Sequence, residues 1–115
     1  MPRLVTAGLL GATAIALGAF GAHGLKDRLA LIPEAADWWQ TATFYLLTHA
    51  VAVGAVAGRS AWPACLWAVG AAIFAGTLYA MALGAPRWLG AITPIGGSLL
   101  VAGWVALAWT ARRES

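Results

Sequence analysis

The two histidines of this sequence both fall on apolar stretches. His49 lies near the middle of Asp37–Gly58, which reads DWWQTATFYLLTHAVAVGAVAG, and His23 lies near the end of the preceding apolar stretch. A chargeable group at such a depth in a membrane is costly unless a second segment supplies a partner. The sequence therefore predicts that His49 contacts a polar group from another helix.

Other polar side chains on the same stretches extend this prediction to a pocket. Counting ~1.5 Å per residue from the ends of each stretch places His49 near the midplane and most other polar groups toward the outer surface. Such a pocket would open outward and hold a small ligand, a lipid headgroup or a proton. Alternatively, neutral His49 bonds a serine, threonine or tyrosine and only sets the helix register, through bonds of ~0.6 kcal/mol each. The candidate pocket residues are His23, Gln40, Tyr45, His49, Tyr79 and Thr93.

Three kinds of chemistry find little support in the residue pattern. Haem needs axial ligands on one iron, yet His23 and His49 differ by ~10 Å in depth at ~1.5 Å per residue. A proton-coupled exporter needs a carboxylate inside the membrane, and the acidic residues lie outside the spans. No phosphate loop, metal cluster or nucleophile–base pair occurs at a recognisable spacing. The sequence thus predicts no enzyme activity, catalytic residue, cofactor or metal site.

Composition explains why these groups belong to a membrane protein. Hydrophobic residues make up 62% of the 115 residues and charged residues 10%, against roughly 25% charged in soluble domains. A soluble domain this small cannot bury so much apolar surface, whereas stretches of ~18–20 apolar residues cross a bilayer. We therefore predict an all-α, polytopic integral membrane protein with four antiparallel transmembrane helices and short loops. This single four-helix bundle would have spans at about 4–25, 37–58, 61–84 and 88–111.

The basic residues occupy loops and ends, so the net charge of +3 does not indicate nucleic-acid binding. Four of them share the side of the N-terminus and three lie on the other side. The first group is Arg3, Arg59, Arg112 and Arg113, and the second is Lys26, Arg28 and Arg87. Because cytoplasmic loops carry the excess of basic residues, this bias predicts cytoplasmic N- and C-termini.

Small residues recur at helical spacing and predict close helix packing. The predicted packing positions are Gly18, Gly21, Gly54, Gly58, Gly76, Pro94, Gly96 and Gly97. Because four spans leave much of this small-residue surface facing outward, the leading functional prediction is a structural or accessory subunit. Its partners would be the lipid bilayer and other membrane proteins or further copies of itself. The alternative is a carrier or sensor that binds a small molecule or lipid in the polar pocket.

Two prolines mark predicted helix features. Pro33 is predicted to occupy the first position of the second helix, where a missing N–H removes no hydrogen bond. Pro94 leaves the carbonyl of Gly90 without its helical donor, which predicts a kink in the fourth span.

Three blocks occur in the order found in a known family. They are ALGAFGAH at 16–23, WQTATFYLLTH at 39–49, and FAGTLYAMAL, LGAITPIGG and AGW within 74–104. In these blocks the chain resembles the YgdD-like family of small inner-membrane proteins, domain of unknown function 423, to which a eukaryotic small transmembrane group is also similar. The resemblance implies four helices in a bacterial inner membrane and no assigned activity. The implied motif positions are Gly18, Gly21, His23, Tyr45, His49, Gly76, Tyr79, Thr93, Pro94, Gly96 and Gly97. Members often carry a polar residue directly after the tyrosine that corresponds to Tyr45. This chain has Leu46 at that position, so its pocket would be less polar.

Overall fold

Every regular element of the computed structural model, which describes residues 2–114, is helical. This confirms the all-α class. The elements are α1 at Pro2–Ala22, α2 at Lys26–Leu29, α3 at Ala35–Ala55, α4 at Ala61–Ala82, a 3₁₀ turn at Arg87–Ala91, and α5 at Thr93–Glu114.

Three of the long helical segments are long and apolar enough to cross a membrane. They are Pro2–Ala22, Ala61–Ala82 and Arg87–Arg113. α3 is not among the three, and it is the long helix that carries Asp37, Gln40 and His49. The apolar helices therefore establish a membrane protein with three candidate spans, where the sequence predicted four.

Helices that follow one another in the chain pack as antiparallel pairs. Gly11 of α1 lies against Ala50 of α3, and Gly18 lies against Thr43, so the residue numbers rise on one helix while they fall on the other. The same reversal relates α3 to α4 and α4 to α5. The matching pairs are Thr43–Tyr79 and His49–Trp67 across α3 and α4, and Trp67–Trp104 and Thr77–Thr93 across α4 and α5.

The four long helices lie side by side in a row. α3 packs against α1 and α4, and α4 packs against α3 and α5. Within residues 2–114, α1 and α5 share no substantial interface. α1 consequently buries only Ala14 among its described residues, and the more polar α3 is an inner helix of the row.

The prolines occupy different positions from those predicted. α3 begins at Ala35 after Glu34, whose φ is 73°. This left-handed residue, uncommon for a side chain larger than glycine, separates Pro33 from the helix, so the prediction for Pro33 was wrong. α5 begins at Thr93, so Pro94 lies in its first turn, where no helical bond is lost. The predicted kink is replaced by a change from the 3₁₀ turn to α-helix.

Arginine side chains hydrogen-bond backbone oxygens at the C-terminal ends of α3 and α4, the two inner helices of the row. Arg3 donates to the backbone oxygens of Val56 and Arg59, just after α3. Arg28 donates to the carbonyl of Leu83 at the end of α4, at 2.6 Å. Positive charge is favourable at helix C-termini, so these contacts tie α1 and α2 to the inner pair.

The closest approach between helices is that of α4 and α5. A Cβ built on Gly96 would lie 2.5 Å from the backbone nitrogen of Phe74 and 2.8 Å from the oxygen of Gly70. Only a residue without a side chain fits there. Gly96 is one of the packing positions predicted from the sequence. Gly70 of α4 is not, yet a Cβ built on it would lie 2.8 Å from the oxygen of Gly96.

Most of the predicted packing glycines lie against another helix of this chain. Gly18, Gly21, Gly54, Gly96 and Gly97 would each place a Cβ within 4 Å of a neighbouring helix, whereas Gly58 and Gly76 would meet nothing within that distance. On α1, Gly18 and Gly21 therefore pack against α3, whereas Gly8, Ala12 and Ala16 are exposed.

Candidate functional site

His49 is buried between α3, α4 and α5, with 4% of its surface exposed, and both ring nitrogens are hydrogen-bonded. Nε2 lies 3.1 Å from Nε1 of Trp104, and because an indole N–H can only donate, Nε2 accepts. Nδ1 lies 2.7 Å from the carbonyl oxygen of Tyr45, to which it donates. This pair of bonds requires a neutral imidazole with its proton on Nδ1.

The interhelical contact predicted for His49 is thus present, but its partner is an indole and not a hydroxyl. Ser98, which lines a groove beside His49, bonds the carbonyl of Pro94 in its own helix at 2.8 Å. With both nitrogens of His49 engaged, the ring offers no lone pair to a metal ion. Among residues 2–114 no group of three His, Cys, Asp or Glu side chains is placed to hold a metal.

Two tryptophans that the sequence analysis left out of the site surround His49. Trp67 of α4 is fully buried, and its ring centroid lies 6.2 Å from that of His49 and 4.5 Å from that of Trp104. The indole of Trp67 faces Gly103, where a Cβ would lie 2.5 Å from Nε1. The AGW block contains Gly103 and Trp104, so the signal was present in the sequence, but it did not reveal which residue they would contact.

Tyr79 lies in a second polar contact, away from His49. Its hydroxyl is 2.7 Å from Oγ1 of Thr43, and its ring centroid is 4.5 Å from that of Trp39. The indole N–H of Trp39 in turn donates to the carbonyl of Leu17 at 2.6 Å. This set of bonds joins α1, α3 and α4 near the α1–α3 connection.

The remaining predicted pocket residues occupy other places. Thr93 is buried between α4 and α5, where its hydroxyl lies 2.6 Å from that of Thr77. Gln40 is exposed and lines a cavity of about 320 Å³ between α1 and α3. His23 is exposed just after α1. Of the six predicted residues, Tyr45, His49 and Thr93 line a common groove, described next.

A long groove runs between α3 and α5 over α4, and we call it the α3–α5 groove. Its inner part, about 440 Å³, is lined by residues that include Tyr45, His49, Gly97, Val101 and Trp104. Its outer part, about 360 Å³, is lined by residues that include Trp38, Leu78, Met81, Arg87 and Thr93. Phe74 and Pro94 line both parts, so the two parts adjoin each other along α4 and α5.

The groove wall is mostly apolar, and two of its polar groups are not hydrogen-bonded within residues 2–114. At the outer end, the guanidinium carbon of Arg87 lies 5.2 Å from the ring centroid of Trp38. Further in, the Tyr45 hydroxyl has no hydrogen-bond partner among residues 2–114, while its ring is tilted against that of Phe74 at a centroid distance of 4.9 Å. This surface suits a hydrophobic molecule with polar groups and supplies no nucleophile–base pair for bond making.

Comparisons with known proteins identify the family. The sequence profile described as "Protein of unknown function (DUF423)" matches residues 17–97. A UPF0382 membrane protein of Staphylococcus epidermidis is 41% identical over 101 residues, covering 82% of this chain and 81% of the relative. One from Schizosaccharomyces pombe is 37% identical over 111 residues, covering 88% and 93%. The UPF0382 inner membrane protein YgdD of Escherichia coli is 32% identical over 112 residues, covering 90% and 84%.

No solved structure matches the chain. The names of these relatives identify them as membrane proteins and state no activity. They agree with the apolar helices and confirm the family resemblance that the three sequence blocks indicated. The chain belongs to the UPF0382 family of membrane proteins, the family of unknown function DUF423.

Proposed function

We propose that this protein is a four-span, non-enzymatic membrane protein that binds a lipid or another membrane-resident amphiphile in the α3–α5 groove. The observation that carries the proposal is the pair of adjoining pockets, one lined by Trp38 and Arg87 and the other by His49. Each part of the groove falls within the ~300–1,000 Å³ typical of ligand sites, which are mostly apolar with a few placed polar groups. A carrier or sensor needs such a site and no reactive residues.

We include α3 as the fourth span, because neighbouring helices bond three of its polar side chains. Trp39 bonds α1 through the carbonyl of Leu17, and Thr43 bonds Tyr79 of α4. His49 bonds Trp104 of α5. A polar helix is tolerated in hydrocarbon when its groups are satisfied within the protein, and an inner position in the row provides these partners.

This topology predicts that α2 and the α3–α4 turn lie on opposite membrane surfaces. The test uses Cys65→Ala as background, since Cys65 is the free cysteine of the described chain, and adds Lys26→Cys or Ser60→Cys at exposed positions. In right-side-out spheroplasts, we expect a membrane-impermeant maleimide to label Lys26→Cys at once and Ser60→Cys only after lysis. That pattern corresponds to cytoplasmic termini in the plasma membrane. Labelling of both positions from one side would show that α3 does not span.

Filling the groove should remove the bound molecule. Val101 lines the groove and is 64% exposed, while Val105 is 63% exposed and lines a separate depression beside Trp62 and Trp109. We expect native mass spectrometry of gently extracted protein to show a discrete extra mass. Val101→Trp should lower its occupancy ~10-fold, equivalent to ~1.4 kcal/mol, and the matched control Val105→Trp should retain it. An unchanged extra mass in Val101→Trp would contradict the proposal.

An accessory subunit that docks other membrane proteins is the second candidate function. It is favoured by the outward face of α4, where Gly76 and the exposed Ala72 and Val69 leave a smooth surface. Small residues allow helices of different chains to approach closely. In the same mass spectra, a second protein at fixed stoichiometry would support this role, and its absence would leave the groove as the functional surface.

A further inference from the structure

The outer end of the α3–α5 groove presents a positive charge that the protein itself does not neutralise. Arg87 is exposed and stacks over Trp38, an arrangement that orients the planar guanidinium and leaves its N–H edge available. Arg28, which lies near the end of α4, is already bonded to the carbonyl of Leu83. Within residues 2–114, Arg87 forms no ion pair, although Asp37 precedes Trp38 in the sequence.

The length of the groove matches one leaflet of a bilayer. Eleven residues of α3 separate Trp38 at the outer end from His49 at the inner end, which corresponds to ~16 Å at ~1.5 Å per residue. The hydrocarbon core of a bilayer is ~30 Å thick, so the groove reaches from one surface to about the midplane. Tryptophan and arginine side chains are typical of the headgroup level, which places Arg87 at the depth of lipid phosphates.

From these two observations we infer that the ligand of the α3–α5 groove is an anionic phospholipid, whose phosphate has no headgroup cation to balance its charge and is bound by Arg87. One acyl chain lies along Phe74 and Pro94 and ends near Val101 and Trp104. The guanidinium contributes charge-assisted hydrogen bonds to phosphate oxygens. The inference rests on the proposed function and adds the charge of the ligand to it.

The test compares two lipids that differ only in the headgroup. Purified protein is incubated with equal amounts of phosphatidylglycerol and phosphatidylcholine that carry identical chains, and bound lipid is quantified by native mass spectrometry. We expect the wild type to prefer phosphatidylglycerol ~10-fold, which corresponds to ~1.4 kcal/mol. Arg87→Gln should abolish this preference while still binding both lipids, because the apolar wall is intact. Arg87→Lys should retain part of it, since a point charge remains.

The matched control is Arg113→Gln, which removes the same charge from an exposed position near the opposite end of α5. This variant should keep the wild-type preference. An unchanged preference in Arg87→Gln, or an equal loss in Arg113→Gln, would overturn the inference and leave the groove proposal standing. Absence of both lipids from the wild type, or equal binding of both in Val101→Trp and the wild type, would instead overturn the groove proposal itself.

Discussion

Gly96→Ala is expected to destabilise the protein by ~3 kcal/mol, at the upper end of the range for overpacked sites. The added Cβ would lie 2.5 Å from the backbone nitrogen of Phe74 and 2.9 Å from its Cα. Backbone atoms of a packed helix cannot move aside as the tip of a flexible side chain can, so α5 must shift away from α4. The shift also moves Thr93 from Thr77 and Trp104 from His49. The free energy of unfolding is measured by titration with sodium dodecyl sulfate in mixed micelles.

Gly76→Ala is the matched control for this substitution. Gly76 lies in α4, its Cβ would meet nothing within 4 Å, and its position is exposed. Replacing a helical glycine by alanine, where no atom obstructs the new Cβ, should stabilise the helix slightly or leave its stability unchanged. Equal unfolding free energies for the two variants would show that α4 and α5 are not in close contact at Gly96.

The second large effect is expected at His49. His49→Leu removes the acceptor for the indole N–H of Trp104, a half-exposed side chain that surrounding hydrocarbon cannot hydrogen-bond. An unsatisfied donor away from water costs roughly 1–3 kcal/mol. We expect a loss of ~2 kcal/mol in the same titration, the midpoint of that range. The control is Thr48→Val, because the exposed Thr48 hydroxyl bonds only the carbonyl of Phe44 in its own helix.

A double-mutant cycle separates the hydrogen bond from the loss of packing. Trp104→Phe leaves Nε2 of His49 without its donor, and the double variant removes both partners. We expect a coupling of ~0.6 kcal/mol and at most ~1.7 kcal/mol, the range measured for hydrogen bonds between membrane helices. Strict additivity of the two single variants would mean that the two side chains do not bond in the membrane.

The geometry at His49 bears on how the groove works. A protonated imidazole would present an N–H from Nε2 toward the N–H of Trp104, so the bond between α3 and α5 requires the neutral ring. His49 thus joins the two walls of the groove at its inner end. We interpret it as a residue that holds the groove in shape, with ligand selection left to Arg87 and Tyr45 near the lipid.

The sequence by itself determined the class of the protein, because composition is sufficient for that step. With 62% hydrophobic residues in 115 positions, the chain has more apolar surface than a small soluble domain can bury. The helical elements, the turn between Ala55 and Ala61, and the need of His49 for an interhelical partner also followed from local pattern. These features depend on residues that are close in sequence.

Only the tertiary structure decided which residues meet across the helices. Gly54 and Gly76 look alike in the sequence, yet one lies against Ala7 and the other faces outward. Which of them is buried depends on how each helix is rotated about its axis. Trp104 lies 55 residues from His49, and no spacing rule predicts a contact at that separation. The groove likewise forms from three helices at once, so neither the adjoining of its two parts nor the position of Arg87 at its outer end could be read from any one of them.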